Sequence, residues 1–378
     1  MQISVIQAIH TANISGVIAL AGGGSQALAD LLKQPGASST ILEAIVPYSG
    51  SAMVNFLGRA PDQACSALTA RQMAMQAWQR ARQLSSKQPD TLFGLGLTAA
   101  LATQPQRKGA DHCYIALQTL TETLELAIGF TLPASAQLRQ QQENLCAKQA
   151  LGLLGHLIGR ETSAQQGKDR SDQYQRSFSS TAGKPDWQSV LLGKQSSTLQ
   201  VAGPSLIFSG AFDPIHKGHM EMKRIAEKHA GMSALFEISV ANVDKPPLDY
   251  WEMQKRHASL TDLGELVFTS AATFVEKAAI FPEATFIVGA DTIKRIANIT
   301  YYQQDPQRRD LAINDLVRRG VRFLVFGRFD DGHFNTLEDL DLPVALQAIC
   351  EQVPESRFRD DVSSTLIRQD QHKDPAQH

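Results

Sequence analysis

Residues 205–220 read Ser-Leu-Ile-Phe-Ser-Gly-Ala-Phe-Asp-Pro-Ile-His-Lys-Gly-His-Met, and this stretch restricts the fold more than any other in the chain. Leu206, Ile207 and Phe208 make an apolar run of the length that a buried strand of a parallel sheet requires. Ser209 and Gly210 interrupt it, Pro214 fixes one backbone angle of the turn, and a helical pattern starts near Lys217. A strand that turns directly into a helix carries unpaired N–H groups to the carboxyl end of the sheet, where they receive an anion. His216 and His219 stand three residues apart, on the side of the first helical turn that faces this anion. Gly218 between them lets a ligand approach the backbone. The pattern describes a phosphate-binding site with two imidazoles over it.

The chain beyond this element keeps alternating. Strands are expected at 235–240, 266–269, 285–288 and 321–326, and helices at 221–229, 251–260, 274–279 and 310–319. Glycine-bearing and polar turns between them predict an open parallel sheet with ligands at its carboxyl edge. Near the end, Ser363, Ser364 and Thr365 precede Leu366 and Ile367 as at a helix start, where hydroxyls and free N–H groups either cap the helix or hold an anion. Arg368 follows Thr365 by three and rises over the same helix end.

The first part of the chain mixes short strands with amphipathic helices. Residues 2–10 are helix-like or irregular; 16–21 is an apolar run followed by Gly22, Gly23 and Gly24 and a helix through about residue 32. A turn at 35–40 leads to a strand at 41–47, a helix at 69–84, sheet elements at 92–101 and 114–117, and a long helix at 134–158. This composition predicts a compact α/β domain. Residues 161–184 are rich in Ser, Gln, Lys, Arg and Asp and read as a solvated linker. The expected division is therefore a first domain over 1–160, a linker over 161–204 and a second domain over 205–378.

A length of 378 residues with 43% hydrophobic content suffices for two cores. A net charge of -2 gives no electrostatic argument for a nucleic-acid partner, and none is expected. Cys65, Cys113, Cys146 and Cys350 have no metal-ligand or redox spacing and are expected as reduced thiols of a cytoplasmic protein. With no charged-then-apolar opening and no long apolar run, neither export nor a membrane span is expected.

The segments Gly210-Ala-Phe-Asp-Pro-Ile-His-Lys-Gly-His219 and Val362-Ser-Ser-Thr-Leu-Ile-Arg368 resemble the two signatures of the nucleotidylyltransferase superfamily, in the family's order. Over residues 205–370 this resemblance implies a Rossmann-like fold and transfer of a nucleotidyl group from a nucleoside triphosphate to a phosphate-bearing acceptor. It implies His216, His219 and Arg368 as catalytic residues, and nucleotide contacts from Gly210, Phe212, Lys217, Gly218, Asp291, Ser363, Ser364 and Thr365. Magnesium and ATP are the implied metal and donor, and Asp213 is expected to order the turn. The segments 242–247, 281–282 and 288–292 look most similar to the nicotinamide mononucleotide adenylyltransferase branch. That branch implies a pyridine mononucleotide as partner, with Lys245 near a substrate phosphate. Trp251 is either a stacking partner for a pyridine ring or a core or lid residue.

Residues 10–159 resemble the C-terminal domain of the competence and damage-inducible protein (CinA) family through Ile18-Ala-Leu-Ala-Gly-Gly-Gly24, Pro35-Gly-Ala-Ser-Ser39, Tyr48-Ser49, Phe56-Leu-Gly58 and Tyr114-Ile-Ala-Leu117. Active members deamidate nicotinamide mononucleotide. Where they carry a serine and a lysine, this chain has Ala19 and Met53, and their Gly-Ile-Ala-Gly-Pro loop is altered to Gly96-Leu-Thr-Ala-Ala100. Neither an alanine nor a thioether can attack an amide or activate an attacking group. The resemblance thus implies a domain without deamidation, kept as a nucleotide binder, a homodimer contact or a scaffold. The alternatives to adenylyl transfer are CTP- or ATP-dependent transfer to another phosphorylated metabolite, a silent nucleotide-binding scaffold, and the deamidase. An aminoacyl-tRNA synthetase is disfavoured, because the chain has no basic tRNA-binding extension and no Lys-Met-Ser-Lys-Ser loop.

Overall fold

The apolar run ahead of the first glycines is buried along its whole length as β1 (Ser15–Ala21), because parallel neighbours flank it on both sides. The computed structural model describes residues 4–105, 107–131, 136–160, 169–170, 173–241, 246–330 and 333–358. The chain divides into two compact units, one of Met1–Gln188 with Asp244–Glu252, the other of Ser189–Val243 with Met253–His378.

In the first unit, α1 (Val5–Thr11), β1, α2 (Ser25–Lys33), α3 (Ala37–Thr40), β2 (Ile41–Ile45), α4 (Gly50–Leu57) and α5 (Ala67–Leu84) come first. Then follow β3 (Leu92–Ala100), β4 (His112–Gln118), β5 (Glu122–Phe130), α6 (Ala136–His156), β6 (Asp169–Arg170), β7 (Tyr174–Ala182) and α7 (Pro185–Leu191). The sheet order is β2-β1-β3-β4-β5-β7-β6, parallel from β2 to β3 and antiparallel beyond. Helix α5 lies directly on β3 because the strand offers two glycines where the helix offers Ala70, Ala74 and Ala77. A Cβ on Gly94 would stand 2.2 Å from both Ala74 O and Trp78 N, and one on Gly96 would stand 2.3 Å from Ala70 O.

The same unit buries a charged cluster. Arg71 donates from Nε to Asp249 (3.1 Å), from Nη2 to Glu252 (3.0 Å) and from Nη1 to Glu125, and its guanidinium lies 4.1 Å from the Trp251 ring centre. Burial pushes the Asp249 carboxyl upward and Arg71 pulls it back, so the guanidinium is what keeps these carboxylates tolerable away from water. Tyr250 is fixed beside it by its N–H to Thr123 Oγ1 (3.1 Å) and its hydroxyl to Leu120 O (2.5 Å).

In the second unit the elements run β8 (Leu206–Ser209), α8 (Lys217–Ala230), β9 (Ala234–Ser239), α9 (Tyr250–Leu260, in this unit from Met253 onward), β10 (Leu266–Thr269), α10 (Phe274–Ile280) and β11 (Thr285–Gly289). They continue as α11 (Ala290–Ala297), α12 (Pro306–Arg318), β12 (Arg322–Phe326), the hairpin β13 (Arg328–Asp330) and β14 (His333–Asn335), α13 (Val344–Gln347) and β15 (Cys350–Val353). The sheet order is β10-β9-β8-β11-β12-β15, parallel throughout. The chain moves outward from β8 to β10, then returns to the other side of β8 as β11. Its order therefore reverses between β8 and β11, where a doubly wound sheet opens a ligand crevice at its carboxyl ends. Alternate side chains divide between two faces: Ile207, Leu235, Val267, Phe286 and Phe323 share one buried cluster, while Phe208 stacks on Phe236 at 5.8 Å.

The structure thus has the expected two-domain α/β architecture, with a Rossmann-like parallel sheet in its C-terminal part. Two local expectations change. Residues 174–182, expected in a solvated linker, form β7, paired along its length with β5. Of its side chains only Arg176 is buried, so its composition stays polar while the backbone ladder holds it. Residues 37–40, expected in a turn, close into the short helix α3. The close fit of α5 on β3 predicts that Gly94→Val, which drives a side chain into helix backbone, lowers stability by about 3 kcal/mol or more, read as a fall in the urea midpoint. Arg71→Ala, which leaves buried carboxylates without their cation, is expected to lower stability by about 3–5 kcal/mol in the same measurement.

Candidate active site

The turn leaving β8 is held by packing and charge together. Phe212 adopts φ 46, a left-handed conformation uncommon for a bulky residue, and its buried ring lies over Gly210, where a Cβ would come within 2.8 Å of it. That ring meets Phe208 and Phe236 edge-on, both at 5.1 Å, and the His219 ring at 5.3 Å. Asp213 accepts from Lys255 Nζ (3.0 Å) and Arg256 Nη2 (3.1 Å), and Arg256 Nε donates to Ala211 O (3.1 Å). Asp213 therefore orders the turn.

His216 is the N-cap of α8 and His219 sits in its first turn. The His216 backbone N–H donates to His219 Nδ1 at 3.2 Å, and the two rings lie 3.7 Å apart, tilted by 34°. With Nδ1 accepting, the neutral His219 ring carries its proton on Nε2. Burial, and then the neighbouring His216, lower its pKa from 6.5 to about 4, so it is a neutral hydrogen-bond donor at neutral pH. A neutral N–H beside the positive end of a helix suits a phosphoryl oxygen.

Of the other expected site residues, Gly210 and Phe212 build the turn, Gly218 is buried in the first turn of α8, and Lys217 is exposed. Asp291 is exposed in the first turn of α11, directly after β11. Because β11 pairs with β8, the Asp291 turn and the histidine turn leave adjacent strands at the same sheet edge. Trp251 has the Arg71 guanidinium over its ring. Lys245, Ser363, Ser364, Thr365 and Arg368 lie outside the described residues. A groove of about 740 Å³ along α8 includes His216 and Lys217 but not His219, so the turn and not the groove defines the site.

Residues 207–370 match the cytidylyltransferase-like family. The chain is also similar to the solved structure of the competence/damage inducible protein CihA from Agrobacterium tumefaciens, at 19% identity over 40% of this chain and 90% of that one, with a TM-score of 0.32. A competence-damaged protein (CinA) superfamily structure from Klebsiella pneumoniae is similar at 15% identity, covering 41% and 93%, with a TM-score of 0.31. The chain matches no curated protein.

The cytidylyltransferase-like region thus contains the histidine turn, the Asp291 turn and the residues that brace them. Arg256 and Lys255 of α9 were not legible as site residues, since single basic residues on an amphipathic helix carry no local signal. Among the described residues no group of three or more His, Cys, Asp or Glu is placed to hold a metal ion, and Asp213 already has two cations. Among the described residues no helix is long and apolar enough to cross a membrane.

In the first unit, Ala19 and Met53 meet in one buried apolar cluster with Ala21, Leu57 and Met73. The Glu143 carboxylate lies at the glycine turn, accepting from Gly24 N (2.7 Å), Ser25 Oγ (2.7 Å) and Gln26 N (3.4 Å). An internal carboxylate thus occupies the amino end of α2.

The His219 environment predicts a ring titration near pH 4 instead of 6.5, measurable by proton–carbon NMR of the imidazoles. Because its folded pKa lies below the ordinary value, this residue's contribution to stability is complete above pH 6.5 and is lost as pH falls toward about 4.

Proposed function

We propose that the second unit transfers an adenylyl group from ATP to nicotinamide or nicotinate mononucleotide, releasing pyrophosphate. The observation that supports this reading is the close His216–His219 pair, with a neutral His219 N–H, at the amino end of α8 and beside the strand-order reversal. The acceptor phosphate brings its own ionised oxygen, so the reaction needs alignment and charge stabilisation more than a strong base. Its oxygen attacks the α-phosphorus, and the bond to the bridging oxygen of pyrophosphate breaks. His219 and the N–H groups of the first α8 turn hydrogen-bond the phosphoryl oxygens as charge grows on them. His216 contacts the triphosphate, and the Asp291 turn borders the nucleotide. By resemblance, Arg368, Ser363, Ser364 and Thr365 hold the departing phosphates and Lys245 the acceptor phosphate. Magnesium carried in with the triphosphate would offset part of its charge.

A cytidylyl donor is the second reading, favoured by the match of residues 207–370 to the cytidylyltransferase-like family. Competition between ATP and CTP for binding separates the two. For the first unit, the apolar cluster around Ala19 and Met53 supports a domain without deamidation.

Purified protein with magnesium, ATP and nicotinamide mononucleotide is expected to release pyrophosphate, none appearing without the mononucleotide. His219→Ala is expected to lower kcat by about 10²–10³-fold, the effect of removing one transition-state donor. Tight ATP binding without release for either mononucleotide would remove the acceptor assignment.

A further inference from the structure

Beneath the histidine turn lies a buried ion pair that the proposed chemistry does not use. Glu237 on β9 is fully buried and Lys277 on α10 nearly so, and Lys277 Nζ donates to Glu237 Oε2 at 2.7 Å. The same carboxylate oxygen accepts from the Ser209 hydroxyl, and Oε1 accepts from Thr269 Oγ1 at 2.6 Å. Lys277 Nζ also donates to Ser209 Oγ at 2.6 Å. Ser209 is the last residue of β8 and Thr269 the last of β10, so the network crosses three adjacent strands toward the carboxyl edge of the sheet. The backbone joins it: Gly210 N–H donates to Glu237 O at 3.1 Å. Phe236, next to Glu237, packs against Phe208 and Phe212, the rings that also wall His219.

Stability alone is a weak reason for such a pair, because well-packed apolar residues of similar volume often serve as well or better. What apolar side chains cannot do is hold the Ser209 hydroxyl in one orientation. We propose that Glu237 and Lys277 are positioning residues, whose side chains fix Ser209 at the start of the turn so that the turn presents His219 in a reactive orientation. This rests on the transferase reading for its kinetic consequence, but its structural consequence is independent of any substrate.

The test compares wild-type protein, Lys277→Met, and the double variant Glu237→Leu/Lys277→Met, which removes both charges together and keeps the core apolar if the single variant fails to fold. Circular dichroism and melting temperature report folding; NMR titration reports the His219 ring; initial rates report kcat and KM for ATP. The expected result is a folded double variant whose His219 midpoint moves from about 4 toward 6.5 as the ring wall loosens. Its kcat is expected to fall by about 10²-fold, the effect of a small misplacement at a reacting centre. Lys277→Arg, which keeps the cation, is expected to retain most of both properties. A folded double variant with an unmoved His219 midpoint overturns the proposal, as does one with full kcat. If wild-type protein shows no turnover, the transferase reading fails by itself, and the His219 titration alone decides the positioning role.

Discussion

The turn from β8 into α8 stands on one constraint, a bulky residue held at positive φ. Phe212 keeps that conformation because its ring fills the space above Gly210 and packs against Phe208, Phe236 and His219. Asp213 on one side is pinned by Lys255 and Arg256, and Ser209 on the other by Glu237 and Lys277. Strain of this kind persists only where the surroundings over-determine it. The reward is the fixed His219 ring, buried enough to stay neutral and oriented by the His216 N–H.

The sheet order explains why this turn is a candidate site. Parallel strands place all their carboxyl ends on one edge, and reversal of order between β8 and β11 keeps the connections on either side of that gap apart. The apolar runs that became β8, β9, β10, β11 and β12 were legible because each is short, continuous and closed by turn residues. The histidine spacing was legible for the same local reason. What local pattern could not supply was pairing at a distance. Arg256 with Asp213, Lys277 with Glu237, and Arg71 with Asp249 join residues far apart in sequence, and each partner alone looks like an ordinary charge on a helix or strand. β7 escaped for a different reason: a strand that buries one side chain keeps the composition of a linker.

The glycine turn of the first unit is satisfied from within the chain. Its strand, glycine turn and helix keep the shape of an anion site, with Gly22 and Gly24 at positive φ. Yet Glu143 accepts the hydrogen bonds at the amino end of α2, and Ala19 and Met53 contribute hydrocarbon to a buried apolar cluster.

In the proposed reaction an acceptor phosphate oxygen attacks the α-phosphorus of ATP beside His219. The most direct measurement is phosphorus NMR of a reaction in which the phosphate of nicotinamide mononucleotide carries heavy-oxygen label. The account predicts a dinucleotide with label at the bridge between its two phosphates and unlabelled pyrophosphate. Label in the pyrophosphate, or free AMP without a dinucleotide, would contradict it.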